Sequence, residues 1–248
     1  MRFARCTNSI SAKSNHKLGQ TILTDTFLVI HHTYDTVYVG LFSETNQLDT
    51  IAIPHKASTA RLIPSVAALL DGHTLKLEQL NFIGCTVGPS LFTTVRTVVV
   101  AANGLAFATG LPLVAINSLT LRALTAFREG HTHTVVLYNA FCGNLHYAVY
   151  DYVTEQLLVE LLTYDEVLQR IKRLVREHHG ARINYLGNGV ALLHTALEAA
   201  GLMAPDYTTH HPDFPTLAEV AAAALRDWRA EKSVKELVPY YGKAYLPS

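Results

Sequence analysis

Two stretches of this chain follow the same rhythm. From Thr21 the segments TILTDTFLVI, TVYVGLF and LDTIAIP are short, rich in β-branched and aromatic residues and separated by turn formers, which predicts three successive strands. ASTARLIPSVAALLDG then places Leu62, Val66, Leu69 and Leu70 at helical spacing, with Gly72 as a stop and Pro64 required in the first turns or at a kink. NFIGCTV reads as a strand buried on both faces, LFTTVRTVVVAANGLAFATG as a long helix and PLVAINS as a further strand. HTVVLYNA, NLHYAVYDY and QLLVELLT open the second stretch as three more strands. The helix TYDEVLQRIKRLVREHH, the strand and turn RINYLGNG, and the helices ALLHTALEAAGL and LAEVAAAALRDWRAEK complete it. The consequence is two related α/β lobes, each a mixed sheet flanked by helices, over residues 21–118 and 119–248. The second ends in an extended strap, KELVPYYGKAYLPS. Residues 1–20 carry Arg2, Arg5, Lys13 and Lys17 with no acid and no apolar core, and read as a flexible extension.

Composition narrows the function classes. Of 248 residues, 49% are hydrophobic, and 20 Lys plus Arg balance 20 Asp plus Glu. The apolar fraction excludes a disordered chain, and the neutral balance lacks the basic excess of an autonomous nucleic-acid binder. The richest apolar tracts, Val95 to Ala108 and Leu217 to Leu225, are interrupted by polar residues and fall short of the ~20 residues that span a bilayer. Cys6, Cys85 and Cys142 are too scattered for a disulfide framework or a paired zinc-ligand spacing, so a reducing cytoplasm is the natural compartment.

Duplicated lobes of this order resemble the actin, hexokinase and Hsp70 superfamily, the two-lobed actin-like (ASKHA, duplicated RNase H-like) fold. Within it, VGPSLFTTVR followed by AANGLAFATGLPLVAINSL resembles the signature of the TsaB (YeaZ) family, GPGSFTGLR before a Lys-Gly-Leu-Ala helix and an Ile-Pro-Leu strand. Gly88, Pro89, Phe92, Thr93 and Arg96 stand at matching positions. Leu23 to Thr26 is similar to the family's opening strand ending in Asp-Thr-Ser, Leu62 to Leu70 to its Leu-Leu-Pro helix, and Pro239-Tyr240 to its terminal strap. The member is divergent: Ser90-Leu91 replaces Gly-Ser of the signature, Thr94 its later Gly, Asn139-Ala140-Phe141 an Asp-Ala-Arg, and Gly242 the strap Arg. The resemblance implies a non-catalytic scaffold for the enzyme TsaD. With a TsaE-like ATPase as third component, that pair makes threonylcarbamoyladenosine (t6A) beside the anticodon of ANN-decoding tRNAs, so tRNA would be met indirectly.

The residues offer little chemistry of their own. A phosphotransferase of this fold needs a turn after the first strand, commonly Asp-x-Gly-x-Thr, whose amides approach phosphate and whose Asp positions metal-bound water. Asp25-Thr26-Phe27-Leu28 has the acid but no Gly, and Asp25 reads as a strand-end residue bonding its own turn. The second loop, Asn139 to Asn144, holds one Gly and no acid. ATP hydrolysis is not expected and no cofactor is assigned, weak nucleotide binding staying open. Gly187-Asn188-Gly189 reads as a strand-to-helix turn. Among 13 histidines, His131 and His133 share a strand face and could chelate, unlike the adjacent pairs His31-His32, His178-His179 and His210-His211. No acid or Cys lies close by in sequence, so no metal site is assigned. Ser90 and Thr93 lack a nucleophile elbow and a base; one of them is expected to cap the helix that starts near Phe92, with Arg96 tying that helix to a neighbour. No catalytic residue is assigned, and Cys85 reads as core.

Ala101, Ala102, Gly104, Ala106 and Ala108 on the long helix, with Ala67-Ala68 on the earlier one, would let helix axes approach closely. Val98, Val99, Val100 and Leu105 exceed a single apolar stripe. In the TsaB family these two helices meet the equivalent pair of TsaD, or of a second TsaB. Leu62, Val66, Leu69, Leu70, Val98, Val99, Ala102 and Leu105 are therefore the expected interface, for a TsaD-like partner or a homodimer. The alternatives are an active ATP-dependent phosphotransferase or hydrolase of the same fold, and a homodimeric divergent homologue with another role.

Overall fold

The computed structural model describes residues 24–178, 181–203 and 212–242. The first half runs β1 (Thr26–His32), β2 (Thr36–Ser43), β3 (Asn46–Pro54), α1 (Ser58–Gly72), β4 (Ile83–Gly88), α2 (Phe92–Thr109) and β5 (Leu113–Asn117). A short helix, α3 (Ser118–Thr125), leads to β6 (His133–Phe141), β7 (Asn144–Asp151), β8 (Gln156–Thr163), α4 (Tyr164–Glu177), β9 (Ile183–Leu186), α5 (Val190–Ala199) and α6 (Leu217–Arg229). The sheets are ordered β3-β2-β1-β4-β5 and β8-β7-β6-β9. Each begins as an antiparallel meander and gains a parallel strand beside its first, so the repeated rhythm exists as repeated topology.

Strand alternation builds the layers. In β1, Leu28 and Ile30 join the core under α1 and α2, while Phe27 and Val29 join the core under α6. In β6, Val135 and Leu137 face α4 and α5, whereas Val136 and Tyr138 pack with α3. By length and composition α2 could cross a membrane, but its Val95, Val98, Val99 and Ala102 pack into the first core. Thr163 with Glu166 and Thr216 with Glu219 form capping boxes that start α4 and α6. Pro64 lies inside α1, beyond its first turn and on the exposed side.

Three features depart from expectation. β1 starts at Thr26, not Thr21, and continues through His31 and His32, whose rings are buried and hydrogen-bonded. α3 is an additional helix, capped by the Asn117 side chain accepting from the Thr120 amide at 3.0 Å. α6 crosses the division drawn at residue 118, whereas α3 stays with the second lobe. Leu119 and Ala123 of α3 pack on the second sheet, and Val220, Ala221, Ala224 and Leu225 of α6 pack on the first. Each sheet has two apolar faces to cover, and α6 covers the second face of the first sheet as α3 does that of the second. A Cβ on Gly84 would come within 2.7 Å of the Ala224 Cβ, so small residues on β4 and α6 set this close approach. Arg122 of α3 and Glu219 of α6 join these two helices through an ion pair at 2.7 Å. Residues 1–20, Thr21 to Leu23, His179, His210, His211 and the strap beyond Gly242 lie outside the described residues.

Candidate functional site

β4 ends in the loop that carries the signature residues. Gly88 has a φ of +120°, and a Cβ there would lie 2.7 Å from the Tyr240 carbonyl oxygen, so only glycine suits. The strap forms the other wall. Tyr240 N–H donates to the Val87 carbonyl at 2.8 Å, and Asn103 of α2 exchanges two hydrogen bonds with the Leu237 backbone, at 2.8 and 3.0 Å. Arg96 donates from Nε to Tyr241 Oη at 3.0 Å and lies 3.8 Å above the Phe92 ring, so it ties α2 to the strap. Ser90 does not cap α2. Its hydroxyl donates to the Thr33 carbonyl at 3.1 Å, and the N-cap position falls to Leu91, which has no side-chain acceptor; Thr93 is exposed.

Across the lobes, the β1–β2 turn meets the β6–β7 turn. Tyr34 Oη donates to the Asn139 carbonyl at 2.5 Å, and the Tyr34 ring stacks on Phe214 with centroids 5.3 Å apart. Tyr138 packs on Phe214 at 4.7 Å, and Leu119, Ala123 and Leu186 complete this buried cluster. Burial raises both tyrosine hydroxyls above their ordinary range. Aromatic side chains thus fill the junction of the two lobes. Gly187 has a φ of +99°, and a Cβ there would fall 2.2 Å from the Leu137 carbonyl oxygen, so the Gly187–Gly189 turn is seated on the β6 backbone.

β1 runs from Thr26 to His32, so its C-terminal end is His31-His32 and Asp25 does not stand there. Asp25 lies at the opposite end of the strand, where its carboxylate accepts from Arg229 at 3.2 Å and from Trp228 Nε1 at 3.4 Å. It anchors the end of α6 instead of bonding its own turn. His31 Nε2–H donates to the Pro215 carbonyl at 3.0 Å, and His32 Nε2–H to the Thr86 carbonyl at 3.1 Å. Burial, reinforced by His32, pushes His31 down to about 3 against the raising effect of the Pro215 carbonyl. Burial likewise pushes His32 down to about 4. Both rings are neutral at physiological pH, and neither supplies the negative charge that holds a nucleotide's metal. A cavity of about 360 Å³ beside His31 is lined by Thr33, Tyr38, Asp213 and Phe214.

The expected interface is corrected by packing. Leu62, Val66, Leu69, Leu70, Val98, Val99 and Ala102 are 0–5% exposed and form the core against the sheet, and half-buried Leu105 packs beside them. The opposite sides of α1 and α2 are open: Ile63 is 47%, Val100 68% and Phe107 93% exposed, with Ala67, Ala68 and Gly104 exposed among them. Val100, Gly104 and Phe107 follow i, i+4, i+7 spacing, a signal present in the sequence but hidden by the apolar residues on the sheet side. His131 and His133 do not converge: His131 is bonded locally to the Glu129 carbonyl at 3.2 Å, while His133 is buried in the sheet.

Two lobes of repeated topology, joined at a cleft and strapped by the C-terminal segment, define a protein of the actin-like ASKHA class. A family model described as tRNA N6-adenosine threonylcarbamoyltransferase (TsaD) matches residues 52–243. The chain belongs to that family, and it is similar to TsaB proteins as well as to TsaD enzymes. It is 29% identical over 111 residues to the tRNA threonylcarbamoyladenosine biosynthesis protein TsaB of Haemophilus influenzae, covering 45% of this chain and 47% of that protein. It is 40% identical over 76 residues to the tRNA N6-adenosine threonylcarbamoyltransferase of Dinoroseobacter shibae, covering 30% of this chain and 21% of that one. The matched stretch thus spans about half the length of the TsaB relative. A Pseudomonas aeruginosa structure described as similar to the peptidase YeaZ shares the fold, with a TM-score of 0.65 and 21% identity over 88% of this chain and 100% of that one.

Proposed function

We propose that this chain is a non-catalytic partner subunit that binds a TsaD-like enzyme in tRNA t6A synthesis. The open face of α1 and α2 carries the reading. Val100 and Phe107 expose apolar surface beside Ala67, Ala68 and Gly104, whose small side chains allow another helix pair to approach closely. The names of the relatives supply the process, and the neutral charge assigns phosphate contacts mainly to the partner. The buried His31-His32 pair at the β1 end and the aromatic filling of the cleft support an inert nucleotide site, so ATP chemistry belongs to TsaD and a TsaE-like ATPase.

A calorimetric titration with the cognate TsaD tests the face. The double variant Val100→Glu and Phe107→Glu buries charge at the contact and is expected to weaken binding by at least about 30-fold, the scale of a hot-spot loss. Its melting temperature should stay near that of the parent, because both side chains lie outside the core. Unchanged affinity in this variant would remove the proposed face. In the same instrument the chain alone should show no saturable uptake of Mg-ATP; stoichiometric uptake would favour the enzyme-class alternative.

A further inference from the structure

At the end of the second sheet remote from the interlobe turn, β6 begins with His133 and β7 ends with Asp151, and the two are cross-strand partners. His178, at the C-cap of α4, packs against them with its ring centroid 4.9 Å from that of His133. One ligand atom from each of these three residues lies within 4.8 Å of the other two. His133 is 2% exposed, yet its Nε2 has no hydrogen-bond partner and stands 3.7 Å from Asp151 Oδ2. Leaving a buried nitrogen unpartnered costs free energy, which a ligand at this point would recover.

The surroundings match those of a metal ligand set. Thr132 Oγ1 lies 2.8 Å from His133 Nδ1; accepting that N–H leaves the Nε2 lone pair directed at Asp151 and His178. Asp151 is fixed in turn: Oδ1 accepts from the Val153 amide at 2.8 Å, and Oδ2 from the Thr154 hydroxyl at 2.8 Å. Tetrahedral zinc with bonds of ~2.0–2.1 Å holds its ligand atoms roughly 3.3 Å apart. The His133–Asp151 separation is close to that value, and exposed His178, at a helix end, can turn to close the remainder. Two imidazoles and one carboxylate suit zinc, whereas magnesium and calcium favour all-oxygen sets.

We propose that His133, Asp151 and His178 bind a zinc-class divalent cation whose fourth position opens into the groove, of about 430 Å³, that these residues help to line. The ion would join the start of β6, the end of β7 and the C-terminus of α4. This site is separate from the partner face and the interlobe cleft, so it stands or falls independently of the t6A reading.

The test uses tag-free full-length protein, stripped with EDTA and titrated with zinc by calorimetry and with cobalt by visible absorption. One zinc per chain and a tetrahedral cobalt spectrum are expected. His178→Ala, at an exposed position, should fold normally, lose the cobalt spectrum and bind zinc at least about tenfold more weakly. Thr132→Val should weaken zinc by roughly 10–100-fold through loss of the orienting bond, and His131→Ala should leave it unchanged. No stoichiometric zinc, or undiminished affinity in His178→Ala, would overturn the site.

Discussion

His31 and His32 are neutral because burial excludes their charged forms, and that makes the fold acid-sensitive. Their folded pKa values, about 3 and about 4, lie below the 6.5 of an unperturbed imidazole, so the unfolded chain takes up protons first as the pH falls. The stability they contribute is complete above about pH 6.5 and is lost from there down towards pH 4 and 3. At pH 5 each costs about 2 kcal/mol, and His146, pushed by burial to about 4, loses stability in the same window. Urea midpoints should therefore fall steadily from pH 7 to pH 5, and the slope should lessen in His31→Asn; a flat profile would contradict the buried neutral rings. These residues also show where sequence reasoning stops. A His-His pair looks like the polar end of a strand, whereas the groups that make it core, Thr86 and Pro215, lie 54–55 and 184 residues from it. Asp25 therefore stands at the start of β1, one strand-length from the end where its sequence pattern places it, while Gly187-Asn188-Gly189 is legible as a turn because glycine itself carries the signal.

Among elements, α3 on the second sheet and α6 on the first are joined by a polar contact inside an apolar seam. Arg122 is 1% exposed and donates to Glu219 at 2.7 Å, to Thr125 at 2.9 Å and to the Phe214 carbonyl at 3.4 Å. Glu219 at the same time closes the capping box of α6. Arg122→Ala would leave the half-buried Glu219 carboxylate without its partner and is expected to cost roughly 2–3 kcal/mol, less than a fully buried pair because Glu219 is partly open to water. Chemical denaturation measures it, and a loss below about 0.5 kcal/mol would show that apolar packing alone holds α3 and α6 together. α3 escaped sequence reading because SLTLRALT is short and rich in threonine, although Asn117 ahead of it was a cap signal. The long helix was legible in extent but not in orientation. α2 is apolar on both sides, so periodicity could not say whether Val98 and Val99 or Val100 and Phe107 meet the sheet.

In the whole molecule, the repeated meander, helix and parallel strand were readable from alternation and helical spacing alone, since each lobe's pattern is local. The packing between lobes was not, because it depends on residues distant in sequence: Tyr34 bonds Asn139, and Phe214 seals the same junction. The neutral charge and the exposed apolar face are properties of the surface as a whole, and the proposed role of a subunit covered by its partner rests on both. Light-scattering masses of the chain alone, the cognate TsaD alone and their mixture measure this most directly. A single mixed species of defined stoichiometry is expected, heavier than either component, and weakened by charge at Val100 and Phe107. Two unshifted species at concentrations well above micromolar would contradict it.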